Sequence, residues 1–365
     1  MYPLLSNSSI LFSGVLFFLM LPHAGAAAQG VQEGLQIACS MAIPSLFPFF
    51  VLSGLLIRTG AVQKLGIWCA PLMRRLYGLP GESAGPLLLG LIGGYPIGAQ
   101  AAQELYQSGT LSRAETEELL GFCNNTGPAF LVGVCGAGLC GSVKIGLLLY
   151  GIHIVTALFT GLLLPHHTAP YRKASRQNLP VQISFSESLV AAAEQAGRSC
   201  LKITVFIMLF SMLRHVLEAA GVFALAPVLC APLLWFLGAP TESAAPLLTG
   251  LLEMTSGLTL LPETCGRALL PAMSMLIAFG GCSVLCQTAA VMNGLSIRRV
   301  LYGKALHGLL AAALTILCQA VFPISISAFS PSCPSPARTP AMGFIFFIYS
   351  LFCVIFSGKK HHIPL

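Results

Sequence analysis

The chain has 365 residues, of which 56% are hydrophobic and 8% charged, and its mean hydropathy is +0.83. An ordinary soluble domain carries about 25% charged residues, so this composition excludes a soluble globular protein and predicts a polytopic membrane protein. The net charge of +7 lies mostly in the polar connections, where it sets orientation in the membrane, and no basic stripe with aromatic side chains indicates nucleic-acid binding.

The residue types also exclude most enzymes. All 12 acidic residues are glutamates, which removes aspartic proteases and pumps phosphorylated on aspartate. No P-loop, no zinc-protease motif and no catalytic Ser/His/Asp or two-acid set occurs, so we expect no enzyme, no cofactor and no metal site. The 13 cysteines lie mostly in apolar segments and are interpreted as small buried side chains. Passage of ferrous iron is a minor variant among the possible functions, and Cys282 and Cys286 are the only pair that suggests ligands for it.

The first half of the chain contains six apolar runs. Ile10 to Ala28 ends in small residues like a signal-peptide cleavage region, but no Lys or Arg precedes it. We therefore predict a retained N-terminal membrane segment over 1–30. The run at 61–78 is short for a span of about 20 residues and could instead be re-entrant or interfacial. The further runs are 35–57, 61–78, 84–103, 116–138 and 143–164.

A polar stretch separates this half from a second one, and 165–197 is predicted to be a cytoplasmic linker with a short amphipathic stretch. Apolar runs follow near 200–218, 221–238, 244–262, 268–292 and 300–322. A Pro/Ser-rich linker at 323–340 and an apolar segment with a basic tail at 341–365 complete the chain. With the 165–197 linker in the cytoplasm, most lysines and arginines fall on the cytoplasmic side, as expected for a multi-pass protein of the cell membrane.

The two groups of apolar runs resemble each other in sequence. Four residues recur 160 positions later: Glu82, Ser83, Pro86 and Gly90 become Glu242, Ser243, Pro246 and Gly250. Because each unit holds an odd number of segments, the second would enter the membrane in the opposite sense. The predicted fold is an all-α polytopic membrane protein with two inverted repeats of about five membrane segments, at 35–164 and 198–322, and flanking terminal segments.

Four apolar runs are interrupted at matched places: GGYPIG (93–98), NNTGP (124–128), EMTSG (253–257) and FGGCS (279–283). Glycine and proline disfavour a helix interior, and at membrane depth the freed backbone groups need protein or a cavity. Interruptions at corresponding positions of two halves are typical of a transporter's binding site. We expect them to converge on one central, partly polar cavity and helical hydrogen bonding to lapse at two or more.

Each feature also has a structural alternative. Gly90, Gly94 and Gly98 form overlapping G-x-x-x-G patterns, which often mean only close helix packing. The two asparagines of NNTGP could be interhelical hydrogen-bond donors and acceptors. The two histidines of the segments that close each repeat, His153 and His307, are interpreted as hydrogen-bonded interior histidines rather than proton carriers.

Glu253 stands among apolar residues, with no basic residue nearer in sequence than Arg267. An acid at a helix centre costs about 2.5–3.5 kcal/mol on insertion scales, so a functional role is favoured. The alternative is a structural, hydrogen-bonded glutamate. Its expected partners are a hydroxyl, a backbone amide, a histidine such as His153, or a bound solute.

Five stretches carry a resemblance to a known family: IPSLFPFFVLSGLL, APLMRRLYGLPG, GGYPIGAQ, LLGFCNNTGPAFLVG and LLEMTSG. Over about residues 30 to 322 the chain resembles the nucleoside recognition, or Gate, domain family. The resemblance implies a bacterial inner-membrane protein of spore formers that acts in spore formation. It also implies Gate domains similar to those of concentrative nucleoside transporters and ferrous-iron permeases. Residues 323–365 lie outside it.

The sequence and the resemblance together predict a transporter or permease for a small polar solute, nucleosides included, with a role in sporulation. The alternative is a non-transporting component or scaffold of spore-envelope assembly. The expected partners are the lipid bilayer and the solute, and self-association into a homo-oligomer is left open. The resemblance and the interruptions supply the expected solute-binding residues: Gly94, Tyr95, Pro96, Gly98, Asn124, Asn125, Thr126, Gly127, Pro128, Glu253, Thr255, Ser256, Gly257, Gly280, Gly281, Ser283 and Gln287.

Overall fold

The computed structural model describes residues 7–59, 61–165 and 184–321. All regular structure in these residues is helical, which confirms the predicted all-α class. Five of the described helical stretches are long and apolar enough to cross a bilayer: Ala24–Leu56, Val143–Leu163, Phe185–Ala219, Gly266–Ala289 and Arg298–Val321. The predicted tail segments at 323–340 and 341–365 lie outside the described residues.

Helices of the first half follow the apolar runs in order. They are α1 (Asn7–Met20), α2 (Ala24–Ile37), α3 (Ile43–Arg58), α4 (Ala61–Tyr77), α5 (Ala84–Gly93), α6 (Ile97–Gln107), α7 (Arg113–Cys123) and α8 (Val143–Leu163). A π-helical turn, Ala38–Ala42, joins α2 to α3, and a longer π-helix, Ala129–Leu139, precedes α8.

Helices of the second half begin with the longest one in the described chain. They are α9 (Phe185–Ala219), α10 (Ala226–Leu229), α11 (Ala231–Leu237), α12 (Ala244–Leu252), α13 (Met254–Leu260), α14 (Leu269–Phe279), α15 (Gly281–Ala289) and α16 (Arg298–Val321). Single 3₁₀ turns join several of them.

The predicted N-terminal segment is divided between two helices. A turn at 21–23 separates α1 from α2, and it contains Pro22, which cannot donate a helical hydrogen bond. Helix α2 packs closely on α9, because a Cβ atom at Gly30 would lie 2.6 Å from the Met212 Cα atom. Arg214 of α9 also bonds the Glu33 carboxylate of α2 at 2.8 Å. The residues near position 30 therefore belong to the packed body of the protein.

Two predicted segments can be compared with the helices. Helix α9 begins at Phe185, inside the predicted 165–197 stretch, with a capping box in which Ser184 and Glu187 satisfy each other's backbone amides. Helix α4 has 17 residues and is not among the described stretches long enough to span, as the re-entrant or interfacial alternative for 61–78 allows. Its buried face carries Met73 and Tyr77, while Trp68 on the other face is 84% exposed.

Helix α14 occupies the centre of the fold. All ten residues from Leu269 to Ala278 are buried, and a helix that is apolar on every side is stable only when surrounded. It packs against α16 on one side and also contacts α8, α12 and α13. The C-terminal end of α14, where Gly280 and Gly281 are buried, therefore lies inside the protein.

The two halves repeat the same order of elements. A 3₁₀ turn at Gly81–Ser83 or Thr241–Ser243 leads into a short helix, a break and a second short helix. A further broken pair follows, α7 with its π-helix or α14 with α15, and each half then ends in a long span, α8 or α16. This order agrees with the duplication seen in the sequence. The inverted orientation of the second copy stays a prediction.

Candidate solute-binding site

All four predicted interruptions are breaks in the helices. They lie at 94–96 between α5 and α6, at 124–128 between α7 and the π-helix, at Glu253 between α12 and α13, and at Gly280 between α14 and α15. The expectation that helical bonding would lapse at two or more of them is confirmed.

The second-half breaks are narrower than expected. Each is a single residue, because Thr255, Ser256 and Gly257 lie in α13 and Gly281, Ser283 and Gln287 lie in α15. The physical reason differs between the two. Glu253 caps α13 with its own side chain, whereas Gly280 turns the backbone through φ +86°, a conformation that costs glycine little.

Breaks of the same half lie side by side. Gly94 has φ +77°, and a Cβ atom there would stand 3.1 Å from the Gly127 nitrogen. In the second half, a Cβ atom at Gly281 would stand 2.9 Å from the Gly250 oxygen and 3.2 Å from the Met254 nitrogen. These glycines allow two backbones to approach within contact distance.

The interruption at 124–128 is also joined to the second half. The Thr126 hydroxyl donates to the Ile277 carbonyl at 3.0 Å, one turn before the Gly280 break. The Asn124 amide donates to the Thr288 hydroxyl on α15 at 2.7 Å. Tyr95 and Glu253 interact electrostatically across the same interface. Breaks from both halves therefore meet in the interior.

A cavity opens beside the first-half breaks. Its lining includes Gly94, Tyr95, Thr126 and Gly127 of the breaks. It also includes Phe49 and Phe50 of α3, Phe130 of the π-helix and Ile203 of α9. No residue of the Glu253 or Gly280 breaks lines it. The expectation of one cavity shared by all four breaks is thus met by only two of them, because the second-half breaks are filled by their own side chains and backbone.

Glu253 is a helix cap in this structure. Its side chain is buried and 3% of the residue is exposed. The carboxylate accepts the Thr255 amide at 2.9 Å and the Ser256 amide at 2.6 Å. An acid at a helix N-terminus is stabilised by the unpaired amides and the helix dipole. Of the expected partners, two backbone amides bond the carboxylate, and the hydroxyls of Thr255 and Ser256 adjoin it.

Three buried polar atoms near the breaks make no hydrogen bond within the described chain: Asn124 Oδ1, Asn125 Oδ1 and Ser256 Oγ. The asparagine orientations follow from their neighbours. Asn125 gives its amide to the Phe122 carbonyl at 2.8 Å, and Asn124 gives its amide to Thr288, whose hydroxyl proton goes to Val284. Both carbonyl oxygens are therefore left as acceptors. The Ser256 hydroxyl adjoins the Glu253 carboxylate, and within the described residues no partner has hydrogen-bond distance and angle to it.

The remaining candidates have structural contacts. Gln287 donates to the Ser283 hydroxyl at 3.3 Å, so these two side chains bond each other. Gly98 and Gly257 lie at close helix crossings, where a Cβ atom would overlap the Cys123 oxygen and the Gly250 backbone, respectively. Gly98 and Gly90 both face the Cys123 oxygen, a close approach of the kind that the packing alternative predicts. Pro96 lies immediately before α6, and Pro128 lies immediately before the π-helix.

The sequence interpretation missed a basic cluster behind the 124–128 break. His153 of α8 accepts the Thr126 amide at Nε2, 3.1 Å away. The His307 Nε2 atom lies 3.1 Å from the His153 carbonyl, and the two rings are 4.5 Å apart. Lys304 is only 2% exposed and interacts electrostatically with both rings. Lys304 lies three residues before His307, which places both side chains on one face of α16. This spacing could have indicated the cluster from the sequence.

Solved structures with the same architecture are those of a concentrative nucleoside transporter, CNTnw. The inward-facing, substrate-bound form matches with a TM-score of 0.56 and 16% identity, over 88% of this chain and 86% of that one. An outward-facing variant matches with a TM-score of 0.53 and 15% identity, over the same shares. The chain therefore shares the polytopic helical membrane fold of these structures.

Sequence comparisons identify the family model and the protein that the chain resembles. Residues 39–168 match the Gate family, described as nucleoside recognition. The chain is 28% identical to the sporulation integral membrane protein YlbJ of Bacillus subtilis strain 168 over 336 residues, which is 85% of this chain and 82% of that protein. The expected resemblance is confirmed, and the protein is an integral membrane protein.

Metal ligation receives no support from the described residues. No three His, Cys, Asp or Glu side chains in residues 7–59, 61–165 and 184–321 come together as a metal site requires. Cys282 and Cys286 are half-buried and exposed, respectively. Side-chain amides and backbone groups at the breaks are the polar chemistry that this region offers.

Proposed function

We propose that the protein is a non-enzymatic transporter or permease for a small polar solute, which binds where the broken helices of the two halves meet. The observation that carries the proposal is that three buried polar atoms of residues at the breaks, Asn124 Oδ1, Asn125 Oδ1 and Ser256 Oγ, make no hydrogen bond within the described residues. A buried polar group without a partner costs about 1–3 kcal/mol. A solute that bonds these atoms would remove that cost.

The free atoms favour a particular kind of solute. Two of them are amide oxygens, which accept hydrogen bonds, so the solute should carry O–H or N–H donors. Nucleosides have such donors on both the sugar and the base, and the related solved structure is described as substrate-bound. The family description, nucleoside recognition, supports the same class. We propose a nucleoside or a similar polyhydroxylated solute.

An inverted repeat would support transport as the use of this site. We propose that residues 35–164 and 198–322 form two units of opposite orientation, so that tilting one unit against the other would expose the site to either side of the membrane. The similarity to a sporulation membrane protein supports a role in sporulation. A spore-envelope scaffold would need neither broken helices nor unbonded polar atoms in its interior.

Removal of one hydroxyl tests the site. The Ser256→Ala variant loses an atom that bonds nothing in the described chain, so it should fold as well as the native protein. If that hydroxyl binds solute, affinity should fall about two- to tenfold, the equivalent of one hydrogen bond. Binding is measured by thermal stabilisation of the purified full chain with candidate nucleosides.

Ser83→Ala is the matched control. The Ser83 hydroxyl is equally buried and equally unbonded within the described residues, but it lies in the 3₁₀ turn before α5, away from the breaks. This variant should bind solute with native affinity. Equal losses in both variants, or a loss in neither, would contradict the proposed site.

A further inference from the structure

Helix α4 exposes an apolar stripe although it is too short to cross a bilayer. It has 17 residues, fewer than the roughly 20 that a spanning helix needs. Trp68, Leu72 and Leu76 follow each other at intervals of four residues, which places them on one face of the helix. All three side chains are exposed, whereas Met73 and Tyr77 on the other face are buried. A contiguous apolar surface of this kind marks a contact with a membrane or another protein.

Both ends of α4 lie near the ends of membrane spans. Its first residue, Ala61, follows α3 closely, and the span that contains α3 ends at Leu56. At the other end, the Tyr77 hydroxyl donates to the Leu158 carbonyl of α8 at 3.1 Å. Leu158 precedes the end of α8 at Leu163 by a distance of about 8 Å along the helix.

The ends of α3 and α8 lie on the same side of the membrane. The residues between α8 and α9, 164–184, are too polar to cross a bilayer, so α8 ends where α9 begins. The Arg58 side chain at the end of α3 donates to Gln195 at 3.4 Å, and Gln195 lies in the first third of the 35-residue α9. Helix α4 therefore begins and ends near one membrane surface rather than crossing to the other.

Basic side chains accompany the stripe on α4 but are missing from the matching helix of the second half. Arg74 and Arg75 are exposed, and Arg75 lies one turn from Leu72, at the edge of the stripe. In the second half the stretch APLLWFL replaces APLMRRL, so that Trp235 and Phe236 stand in place of the two arginines. Trp235 is 86% exposed. Both helices therefore expose apolar side chains, and α4 alone adds positive charge.

We propose that α4 lies in the headgroup layer of the bilayer and binds anionic phospholipid. The stripe of Trp68, Leu72 and Leu76 enters the boundary of the acyl chains, where tryptophan is enriched because its ring is apolar and its N–H is polar. Arg75 then stands at the level of the lipid phosphates and can donate two hydrogen bonds to one of them. Apolar burial and attraction to anionic lipid together hold an amphipathic helix in this position.

The bound lipid would act on the first broken pair of helices. Helix α4 leads through the 3₁₀ turn Gly81–Ser83 into α5, and it packs against both. A fixed position of α4 at the surface therefore fixes the start of α5, which ends at the 94–96 break. Lipid binding by α4 does not require transport, so this proposal and the proposed function can fail independently.

Tryptophan fluorescence tests the proposal, because the chain contains only 2 tryptophans. Trp235→Phe leaves Trp68 as the single reporter, and Trp68→Phe leaves Trp235 as the matched control. Each full-length variant is placed in nanodiscs of phosphatidylcholine with a minor fraction of phosphatidylglycerol. Bromine atoms, which quench tryptophan on contact, are attached near the headgroup end of the acyl chains of one lipid or the other, at equal mole fraction.

Brominated phosphatidylglycerol should quench Trp68 more strongly than the same fraction of brominated phosphatidylcholine. The expected enrichment of the anionic lipid beside α4 is about fivefold, the equivalent of about 1 kcal/mol for an arginine at the membrane surface. High salt should reduce the preference, since exposed charges are screened. Arg75→Gln should lower the preference and Arg75→Lys, which keeps the charge, should retain it. Trp235 should be quenched equally by both lipids.

Three results would overturn the proposal. Equal quenching of Trp68 by the two lipids, or a preference that Arg75→Gln leaves unchanged, would remove the role of Arg75 in binding anionic lipid. No quenching of Trp68 by either lipid would mean that another surface, such as a second copy of the chain, covers the stripe. Stronger quenching by bromine at the chain ends than by bromine near the headgroup would place α4 in the bilayer core instead of at its surface.

Discussion

Glu253 shows how one residue can be structural and functional at the same time. The carboxylate fills the position that would otherwise leave two amides of α13 unbonded, and it does so without any basic partner in the described chain. The charge itself is thus held only by dipoles and hydrogen bonds. If a solute or a cation bound the carboxylate, the amides of Thr255 and Ser256 would lose their acceptor. Binding at Glu253 would then change the first turn of α13.

Three substitutions separate the cap from the charge. Glu253→Gln keeps one acceptor oxygen, so the protein should remain folded and inserted but lose transport if the charge is needed. Glu253→Asp keeps the charge one methylene shorter and should retain some transport. Glu253→Ala removes the cap and should destabilise the fold by about 1–2 kcal/mol. Thermal unfolding and solute uptake are measured on each variant.

Glu242→Gln is the control for these variants, because Glu242 is exposed and lies at the start of the same repeat segment. It should change neither stability nor uptake. Full transport by Glu253→Gln at every pH would reduce Glu253 to a structural cap.

At the scale of a single residue, sequence reasoning succeeded where a residue is unusual for its surroundings. Glu253 and Asn125 stand out in apolar runs, and both are buried at breaks. Lys304 did not stand out, because its position near the start of an apolar run assigned it to the cytoplasmic charges. Its burial depends on how α16 packs against α7 and α8, which is long-range information that residue type and spacing do not contain.

At the scale of the helix, glycine and proline predicted where the breaks lie but not how wide they are. The first break, at 94–96, is narrower than the predicted 93–98, because Gly93 belongs to α5 and Ile97 and Gly98 belong to α6. Gly94 and Pro96 both disfavour a continuous helix. The predicted 253–257 break shrank to Glu253, since Thr255 to Gly257 are compatible with a helix once its first amides are capped. A residue that caps a helix and a longer interruption have similar sequences, so the width of the interruption could not be predicted.

Close packing of α2 on α9 gives a prediction at this scale. Gly30→Ala should destabilise the protein by about 1–3 kcal/mol, as in other overpacked contacts, because the new Cβ atom meets the Met212 backbone. The matched control is Gly25→Ala in the same helix, where nothing lies within 4 Å of the new atom. There alanine should be neutral or stabilise the helix by up to about 1 kcal/mol.

Thermal unfolding in nanodiscs compares the two glycine variants. A lower midpoint for Gly30→Ala alone is expected. Equal midpoints would mean that α2 can move away from α9 without cost, and that the N-terminal helices are not part of the packed body.

At the scale of the whole molecule, membrane insertion, the helical class and the paired order of elements could all be predicted from composition and from the repeated Glu–Ser–Pro–Gly spacing. These depend on hydrophobicity and periodicity, which are local properties of a sequence. The contacts that bring the halves together, such as Thr126 with Ile277 and Asn124 with Thr288, could not be predicted. They join residues more than 150 positions apart and depend on the packed arrangement.

The central claim is that the meeting point of the broken helices carries a polar solute across the membrane. Uptake by proteoliposomes that contain the purified full chain tests it most directly, with nucleosides, amino acids and divalent metals screened in parallel. The expected result is saturable uptake of a solute rich in O–H and N–H donors, with nucleosides the first candidates and no uptake of metals. A folded, inserted protein that takes up none of these solutes, or that takes up divalent metals alone, would contradict it.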